Sequence, residues 1–230
     1  MVDLIKDDLK ADGIKVEAVQ MNYNSLNTPL NNDEIDGNLI QHQYFMQVFN
    51  DANKGDLVIA QPVYHSKFAI FSEKYETIND IPNGETIYLP LDTVNLSRAL
   101  ILLETAGLIT LKDGIVKTSS TLDDIAANPK NLVWDQSAIN VTPAKYRDSG
   151  RGLAIMYPSY VISSLGSYDE GEIYMNEPLN DLTKTYAISF VVKASRLNDD
   201  DIQTFIKHLT SDKVRQWIID QYGFAAIPAF

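Results

Sequence analysis

Residues 86–90 read Thr-Ile-Tyr-Leu-Pro, and residues 91–107 continue as Leu-Asp-Thr-Val-Asn-Leu-Ser-Arg-Ala-Leu-Ile-Leu-Leu-Glu-Thr-Ala-Gly. The first stretch is rich in β-formers, and its proline marks where a strand must stop pairing. In the second stretch, apolar residues recur at the spacing of one helix face. Gly107 stands in the usual position just past a helix end. A strand followed directly by a helix is the repeating unit of an α/β fold.

Strand and helix patterns alternate along the rest of the chain. Apolar and β-rich stretches predict strands at 14–19, 56–63, 68–71, 153–156 and 186–192. Apolar residues at helical spacing predict helices at 4–12, 41–53, 121–128, 160–165 and 199–222, the last interrupted near Thr210 and Ser211. This order favours an α/β protein with mostly parallel sheets.

The composition is that of a globular protein. The chain has 230 residues, of which 45% are hydrophobic and 22% charged, so it has enough apolar material for a core. Asp and Glu number 31 against 19 Lys and Arg, giving a net charge of −12. This balance argues against nucleic acid and against an anionic membrane surface as partners, because both need clustered basic residues.

The usual catalytic and cofactor motifs are missing. There is no cysteine, which excludes disulfides, thiolate metal sites and cysteine nucleophiles. The three histidines lack the spacing of a metal hydrolase, and neither phosphate-binding nor dinucleotide-binding glycine motifs occur. We therefore expect neither a metal nor a cofactor.

Arg98 is the residue most suggestive of a binding site. It is placed in the first turn of the helix that follows 86–90, with Thr93 or Asn95 as candidate N-caps. Backbone N–H groups and a guanidinium together suit a carboxylate or phosphate. The alternative is an exposed arginine paired with a surface acid such as Asp92.

Several segments carry a family resemblance. They are Tyr23, 36–42 (Asp-Gly-Asn-Leu-Ile-Gln-His), 86–90 with 95–100, 102–109, 128–132 (Asn-Pro-Lys-Asn-Leu) and the ending 226–230 (Ala-Ile-Pro-Ala-Phe). In this order they resemble the NlpA/MetQ family, the methionine-type substrate-binding lipoproteins of ABC importers. The resemblance covers nearly the whole chain.

The resemblance implies a two-lobed type II periplasmic-binding-protein fold with a central mixed sheet in each lobe. Lobe one would hold 1–74 and 186–230, and lobe two would hold 75–185. Chain crossings near 72–75 and 185–190 would form the hinge. In the family, ligand binds between the lobes and closure presents the protein to the permease.

The resemblance also implies a ligand-binding set. Its members are Tyr23, Ile40, His42, Phe45, Arg98, Tyr157 and Ile188. Arg98 matches the arginine that grips the ligand carboxylate. Tyr157 and Ile188 depart from the family, because they stand where asparagines engage the ligand's amino group.

These departures bear on the identity of the ligand. Isoleucine cannot accept a hydrogen bond, and a buried ammonium without acceptors is costly. We predict a retained carboxylate anchor and altered recognition of the ammonium, with Ser159, Ser189 or an ordered water as substitute acceptors. Methionine and a different carboxylate-bearing nutrient, such as a modified amino acid or a small peptide, both stay open.

The start of the chain departs from the family as well. Family members begin with a lipoprotein signal and cysteine, then a strand inside the lobe-one sheet, before the helix that matches Leu4–Lys10. Neither precedes that helix here. We expect an extracytoplasmic protein attached to the membrane as a lipoprotein in its native precursor. We also expect either a truncated product or a gap filled by another segment or a second copy, with some self-association through that edge.

The leading prediction is a non-enzymatic substrate-binding component of an ABC importer. An enzyme on a related scaffold would need a nucleophile and base, which Tyr23, His42 and Arg98 do not supply. A transcription regulator would need an N-terminal DNA-reading domain, and residues 1–20 supply none. A degenerate family member acting as a surface interaction protein without a small-molecule ligand remains the alternative.

Overall fold

The computed structural model describes residues 1–167 and 169–230. The helices in this part of the chain are α1 (Val2–Ala11), α2 (Asn27–Asn31), α3 (Gln43–Asn53), α4 (Thr93–Thr105), α5 (Thr142–Asp148), α6 (Pro158–Leu165), α7 (Asp200–Leu209) and α8 (Asp212–Tyr222). The strands are β1 (Asn38–Gln41), β2 (Leu57–Ser66), β3 (Ala69–Phe71), β4 (Thr86–Pro90), β5 (Thr110–Leu111), β6 (Ile125–Ala127), β7 (Val133–Ser137), β8 (Leu153–Met156), β9 (Ile173–Asn176), β10 (Ile188–Lys193) and β11 (Ala226–Pro228).

The chain divides into two compact units. Unit 1 contains Met1–Ser66 and Leu179–Phe230, and unit 2 contains Lys67–Pro178. The sequence-based limits differ, because they place 67–74 in lobe one and 179–185 in lobe two. The structure puts β3 in unit 2, where it pairs with β8 and β9.

Unit 1 is built on a sheet with the strand order β1-β10-β2-β11. Its main core packs Ile5 and Leu9 of α1 with Val192 of β10 and with buried residues of α7 and α8. A second cluster joins Val191 to buried residues of α2, α3 and β2. Because neighbouring strand residues point to opposite faces, Val191 and Val192 place these helices on the two sides of one sheet.

Unit 2 is built on a mixed sheet with the order β7-β4-β8-β3-β9. Strand β4 pairs in parallel with β7 and β8, whereas β3 pairs antiparallel with β8 and β9. Phe71, Tyr146, Met156 and Val161 lie in its buried cluster. Strands β5 and β6 form a separate small antiparallel pair.

The mixed α/β class is confirmed, but the expectation of mostly parallel sheets is wrong. In unit 1 the three pairings of the described strands are all antiparallel, so the mixed sheet expected there is not what these strands form. Strand β10 lies between β1 and β2 although it comes from the far end of the chain. Neither of its pairings is therefore produced by a strand–helix–strand crossover, the unit that makes strands parallel.

The predicted strand at 86–90 and the helix that follows it are confirmed. Strand β4 has the predicted bounds, and α4 follows it and ends before Gly107. Two other predictions are wrong. Residues 14–19 form no strand, although they alternate in polarity. Residues 121–128 form a short 3₁₀ turn and then β6 instead of a helix, because residues 125–127 pair with β5.

Asp92, rather than Thr93 or Asn95, caps α4. Its Oδ1 accepts a hydrogen bond of 3.0 Å from the backbone N of Asn95 and another of 3.0 Å from the Asn95 side chain. The cap moves the helix start upstream, so Arg98 lies in the second turn and not the first. No helix in the described ranges is both long and apolar enough to span a bilayer.

We expect Asp92→Ala to lower the free energy of unfolding by about 1–2 kcal/mol, because it removes the cap of the helix that carries Arg98. Asp7→Ala is the control, since Asp7 is exposed on α1 and away from a helix cap. Urea denaturation of the parent protein and the two variants measures the differences in free energy of unfolding. Equal stability of the two variants would contradict this role for Asp92.

Candidate functional site

The buried guanidinium of Arg98 is the centre of the site in unit 2. The side chain of Arg98 is 3% exposed and that of Glu177 is 10% exposed. Nε of Arg98 donates to Oε1 of Glu177 at 2.7 Å, and Nη2 donates to Oε2 at 2.5 Å. Two parallel N–H···O bonds of this kind are the geometry in which arginine binds a carboxylate.

Two aromatic rings flank the guanidinium. The Cζ atom of Arg98 lies 4.8 Å from the ring centroid of Phe68 and 5.4 Å from that of Tyr157. The two rings pack on one another, with centroids 4.7 Å apart. Apolar walls of this kind exclude water, which strengthens the attraction between Arg98 and a carboxylate.

The Tyr157 hydroxyl links Arg98 to the start of its own helix. Nη1 of Arg98 donates to this hydroxyl at 3.0 Å, and the hydroxyl donates to Oδ1 of Asn95 at 2.6 Å. Burial raises the pKa of Tyr157 to about 12, so the phenol stays protonated and keeps donating at neutral pH. Asp92 holds the other end of the Asn95 amide. A continuous polar chain therefore fixes the position of the guanidinium.

Both sequence-based alternatives for Arg98 need correction. It is not an exposed arginine paired with Asp92, because it is buried and its partner is Glu177. It also lies in the second turn of α4 and not in the first.

In unit 1, the predicted ligand residues Tyr23, His42 and Phe45 come together. The rings of Tyr23 and Phe45 are 6.1 Å apart, and those of His42 and Phe45 are 6.5 Å apart. His42 is buried and caps α3, where its Nδ1 accepts from the backbone N of Phe45 at 3.4 Å. Tyr186 extends this aromatic group, with its ring 5.0 Å from that of His42. The cap fixes the rotamer of His42, and the ring contacts fix its orientation.

Ile40 and Ile188 lie on strands outside this group of rings. Ile40 is in β1, at the point where its register with β10 shifts. Ile188 begins β10 opposite Tyr64 of β2. Ser189, a suggested substitute acceptor, is buried and donates its hydroxyl to the carbonyl of Ala187 at 2.9 Å.

Sequence reasoning missed Glu177, Phe68 and Tyr186 as members of these two groups. Glu177 stands 79 residues beyond Arg98 and just after β9, so no spacing rule connects the two. The sequence predicts that Tyr186 begins a strand, but Tyr186 belongs to a 3₁₀ turn before β10. Within the described ranges, no group of three or more His, Asp or Glu side chains could hold a metal ion.

The fold is shared with solved substrate-binding proteins of ABC transporters. A periplasmic substrate-binding protein of an ABC transporter from Coxiella burnetii aligns with a TM-score of 0.86 and 26% identity, covering 99% of this chain and 94% of that one. A nutrient-binding protein from Burkholderia cenocepacia bound to methionine aligns with a TM-score of 0.88 and 25% identity, covering 99% and 94%.

Sequence comparison identifies the family. The NlpA lipoprotein family matches residues 1–230, and the chain belongs to that family. The methionine-binding lipoprotein MetQ of Bacillus subtilis is 29% identical over 222 residues, which are 96% of this chain and 80% of the relative. The resemblance and the fold drawn from the sequence are thereby confirmed.

We expect Tyr157→Phe to lower the free energy of unfolding by about 1–3 kcal/mol, because the hydroxyl is a buried partner of both Arg98 and Asn95. Tyr88→Phe is the control. Tyr88 is half-buried in β4 of the same unit, and in the described part of the chain its hydroxyl makes no hydrogen bond. Chemical denaturation compares the variants, and a loss of the same size in both would show that the hydroxyl network is not what stabilises Arg98.

Proposed function

We propose that this protein is the substrate-binding component of an ABC importer and that it binds a small carboxylate-bearing nutrient. Membership of the NlpA lipoprotein family and the substrate-binding proteins among its structural relatives support the class. The observation that supports a carboxylate ligand is the bidentate hydrogen bonding between Arg98 and Glu177. The Glu177 carboxylate occupies the position that a ligand carboxylate would take, so the guanidinium is already oriented to bind one.

The proposed ligand-binding residues are Arg98 and Tyr157 of unit 2, with Tyr23, Ile40, His42, Phe45 and Ile188 of unit 1. Arg98 would bind the carboxylate, and the aromatic group of unit 1 would contact the rest of the ligand. Domain closure and delivery to the permease remain part of this proposal, with the chain crossings at 66–67 and 178–179, where the units meet along the chain, instead of near 72–75 and 185–190.

Recognition of a free ammonium has little support in these residues. The Tyr157 hydroxyl already donates to Asn95 and accepts from Arg98. Nδ1 of His42 accepts from its own helix, and Ile188 has no polar atom to offer. We therefore favour a carboxylate ligand whose amino group is modified or absent over free methionine, the ligand of the Burkholderia relative.

The ion pair of Arg98 and Glu177 also favours a second candidate function. Because Glu177 neutralises Arg98, a ligand carboxylate must displace it. A protein in which that exchange no longer occurs would be an interaction protein without a small-molecule ligand. In either case we infer that the native precursor is held at the membrane outside the cytoplasm, which membership of the NlpA lipoprotein family supports. An enzymatic role is not proposed, and weak self-association stays a prediction.

A thermal-unfolding screen against amino acids, D-amino acids, short peptides and simple carboxylates tests the function. A ligand at 100 times its Kd should stabilise the protein by about 2.7 kcal/mol, and the shift should disappear in Arg98→Ala. Micromolar binding of L-methionine that needs Arg98 would contradict altered ammonium recognition. No shift with any compound, in folded protein free of bound ligand, would favour the interaction protein.

We expect Glu177→Gln to tighten binding of the carboxylate found in that screen by about tenfold, because a neutral amide competes less strongly for Arg98. Glu172→Gln is the matched control. Glu172 is likewise buried and accepts from an arginine, Nη1 of Arg151, at 2.7 Å, but it is not a partner of Arg98. Isothermal titration calorimetry measures both affinities. Weaker or unchanged binding in Glu177→Gln would show that Glu177 does not compete with the ligand.

A further inference from the structure

Three buried amide side chains of unit 1 bond to one another, and we call them the amide triad. They are Asn27 at the start of α2 and Asn38 and Gln41 at the two ends of β1. Asn27 and Gln41 face each other as a pair of amides. Nδ2 of Asn27 donates to Oε1 of Gln41 at 2.7 Å, and Nε2 of Gln41 donates back to Oδ1 of Asn27.

Asn38 closes the triad. Its Nδ2 donates to Oδ1 of Asn27 at 2.9 Å and to the carbonyl of Leu26 at 3.4 Å, and its Oδ1 accepts from Nε2 of Gln41 at 2.9 Å. Each of the three amide oxygens therefore accepts a hydrogen bond within the triad. A buried polar network satisfied in this way specifies one arrangement of the chain, because other arrangements leave buried donors and acceptors unpaired.

The triad depends on an irregularity in β1. Between Leu39 and Gln41 the register with β10 shifts, so Ile40 is an extra residue, a β-bulge. In a regular strand, residues three apart point to opposite faces. The extra residue brings Gln41 to the face of Asn38, and both side chains then reach Asn27. A regular β1 could not make this set of hydrogen bonds.

The triad also joins the two segments that carry the aromatic group of unit 1. Asn27 follows the 3₁₀ turn that contains Tyr23, and Gln41 directly precedes His42, the cap of α3. Phe45 lies in the first turn of that helix. The contact between the rings of Tyr23 and Phe45, with centroids 6.1 Å apart, is therefore made between two segments that the triad holds together.

We propose that the amide triad positions Tyr23, His42 and Phe45 by fixing the bulged register of β1. A slip of one residue would turn the side chains of β1 to the opposite face and would move the start of α3. An apolar cluster of the same size would fill the space without selecting one register, because apolar packing loses uniqueness before it loses stability. The value of this arrangement for ligand binding rests on the proposed function, whereas the positioning itself does not.

Replacing all three amides together separates positioning from stability. The triple variant Asn27→Leu, Asn38→Leu, Gln41→Met leaves no member of the triad buried without a partner. Apolar groups of similar size often replace a buried polar network without loss of stability. We therefore expect the triple variant to unfold at nearly the same urea concentration as the parent protein.

Two NMR measurements on the protein without ligand report the positioning. The backbone amides of Phe45 and Met46 donate to Nδ1 and to the carbonyl of His42, so their hydrogen exchange reports on the start of α3. The nuclear Overhauser effect between the rings of Tyr23 and Phe45 reports on the aromatic group. In the triple variant we expect the exchange of these two amides to be at least about tenfold faster than in the parent. We also expect a weaker Overhauser effect between the rings.

Val63→Ala is the matched control for a loss of stability. Val63 is buried in β2 of the same unit and belongs to its main core, outside the triad. This change should lower the urea midpoint but leave the ring Overhauser effect as in the parent. The single variant Gln41→Met is used if the triple variant does not fold, and it should show both NMR changes together with a lower midpoint.

Two results would overturn the proposal. Exchange and ring contacts like those of the parent in the triple variant, or in Gln41→Met, would show that the triad only stabilises the unit. The same NMR changes in Val63→Ala would show that the aromatic arrangement follows stability alone. A ligand screen in which no carboxylate binds would instead contradict the proposed function and would leave these measurements unaffected.

Discussion

The ion pair of Arg98 and Glu177 is the interaction on which unit 2 and its site depend. A buried charge is tolerated when it is paired and when its remaining donors are satisfied. Here Glu177 takes two donors, and the Tyr157 hydroxyl accepts from a third nitrogen. Because Asn95 and Asp92 complete the chain of hydrogen bonds, the pair also ties α6 and the end of β9 to the start of α4.

In the proposed function, one arginine serves both structure and binding. A guanidinium kept rigid by hydrogen bonds and flanked by the rings of Phe68 and Tyr157 loses little entropy when it takes a new carboxylate. Glu177, however, would lower the affinity of a ligand carboxylate. The ligand gains only the difference in free energy between its own bond to Arg98 and the bond to Glu177 that it replaces. Under the proposed function, Glu177 would therefore influence ligand affinity as much as Arg98.

The local parts of the fold could be predicted from the sequence. Strands β4 and β8 and the split between α7 and α8 follow from apolar spacing, proline and glycine, which act within a few residues. The family resemblance supplied Arg98 and the aromatic residues around His42. Glu177 could not be predicted, because its role arises from a contact across 79 residues. The prediction of a strand at 14–19 is wrong for a related reason. Alternating polarity leads to a strand only where a neighbouring strand is present to pair with it.

The position of β10 has a consequence for how the chain is made. Unit 2 is a continuous stretch, Lys67–Pro178, whereas the unit 1 sheet needs β10 between β1 and β2. The polypeptide is synthesised from the N-terminus onward. Strands β1 and β2 therefore lack β10, their shared partner, until the whole of unit 2 and then β10 have been synthesised. Closing so long a loop is slow, and strands left open meanwhile are prone to aggregate. Unit 2 can therefore fold before unit 1, and unit 1 is the half that most needs protection during synthesis.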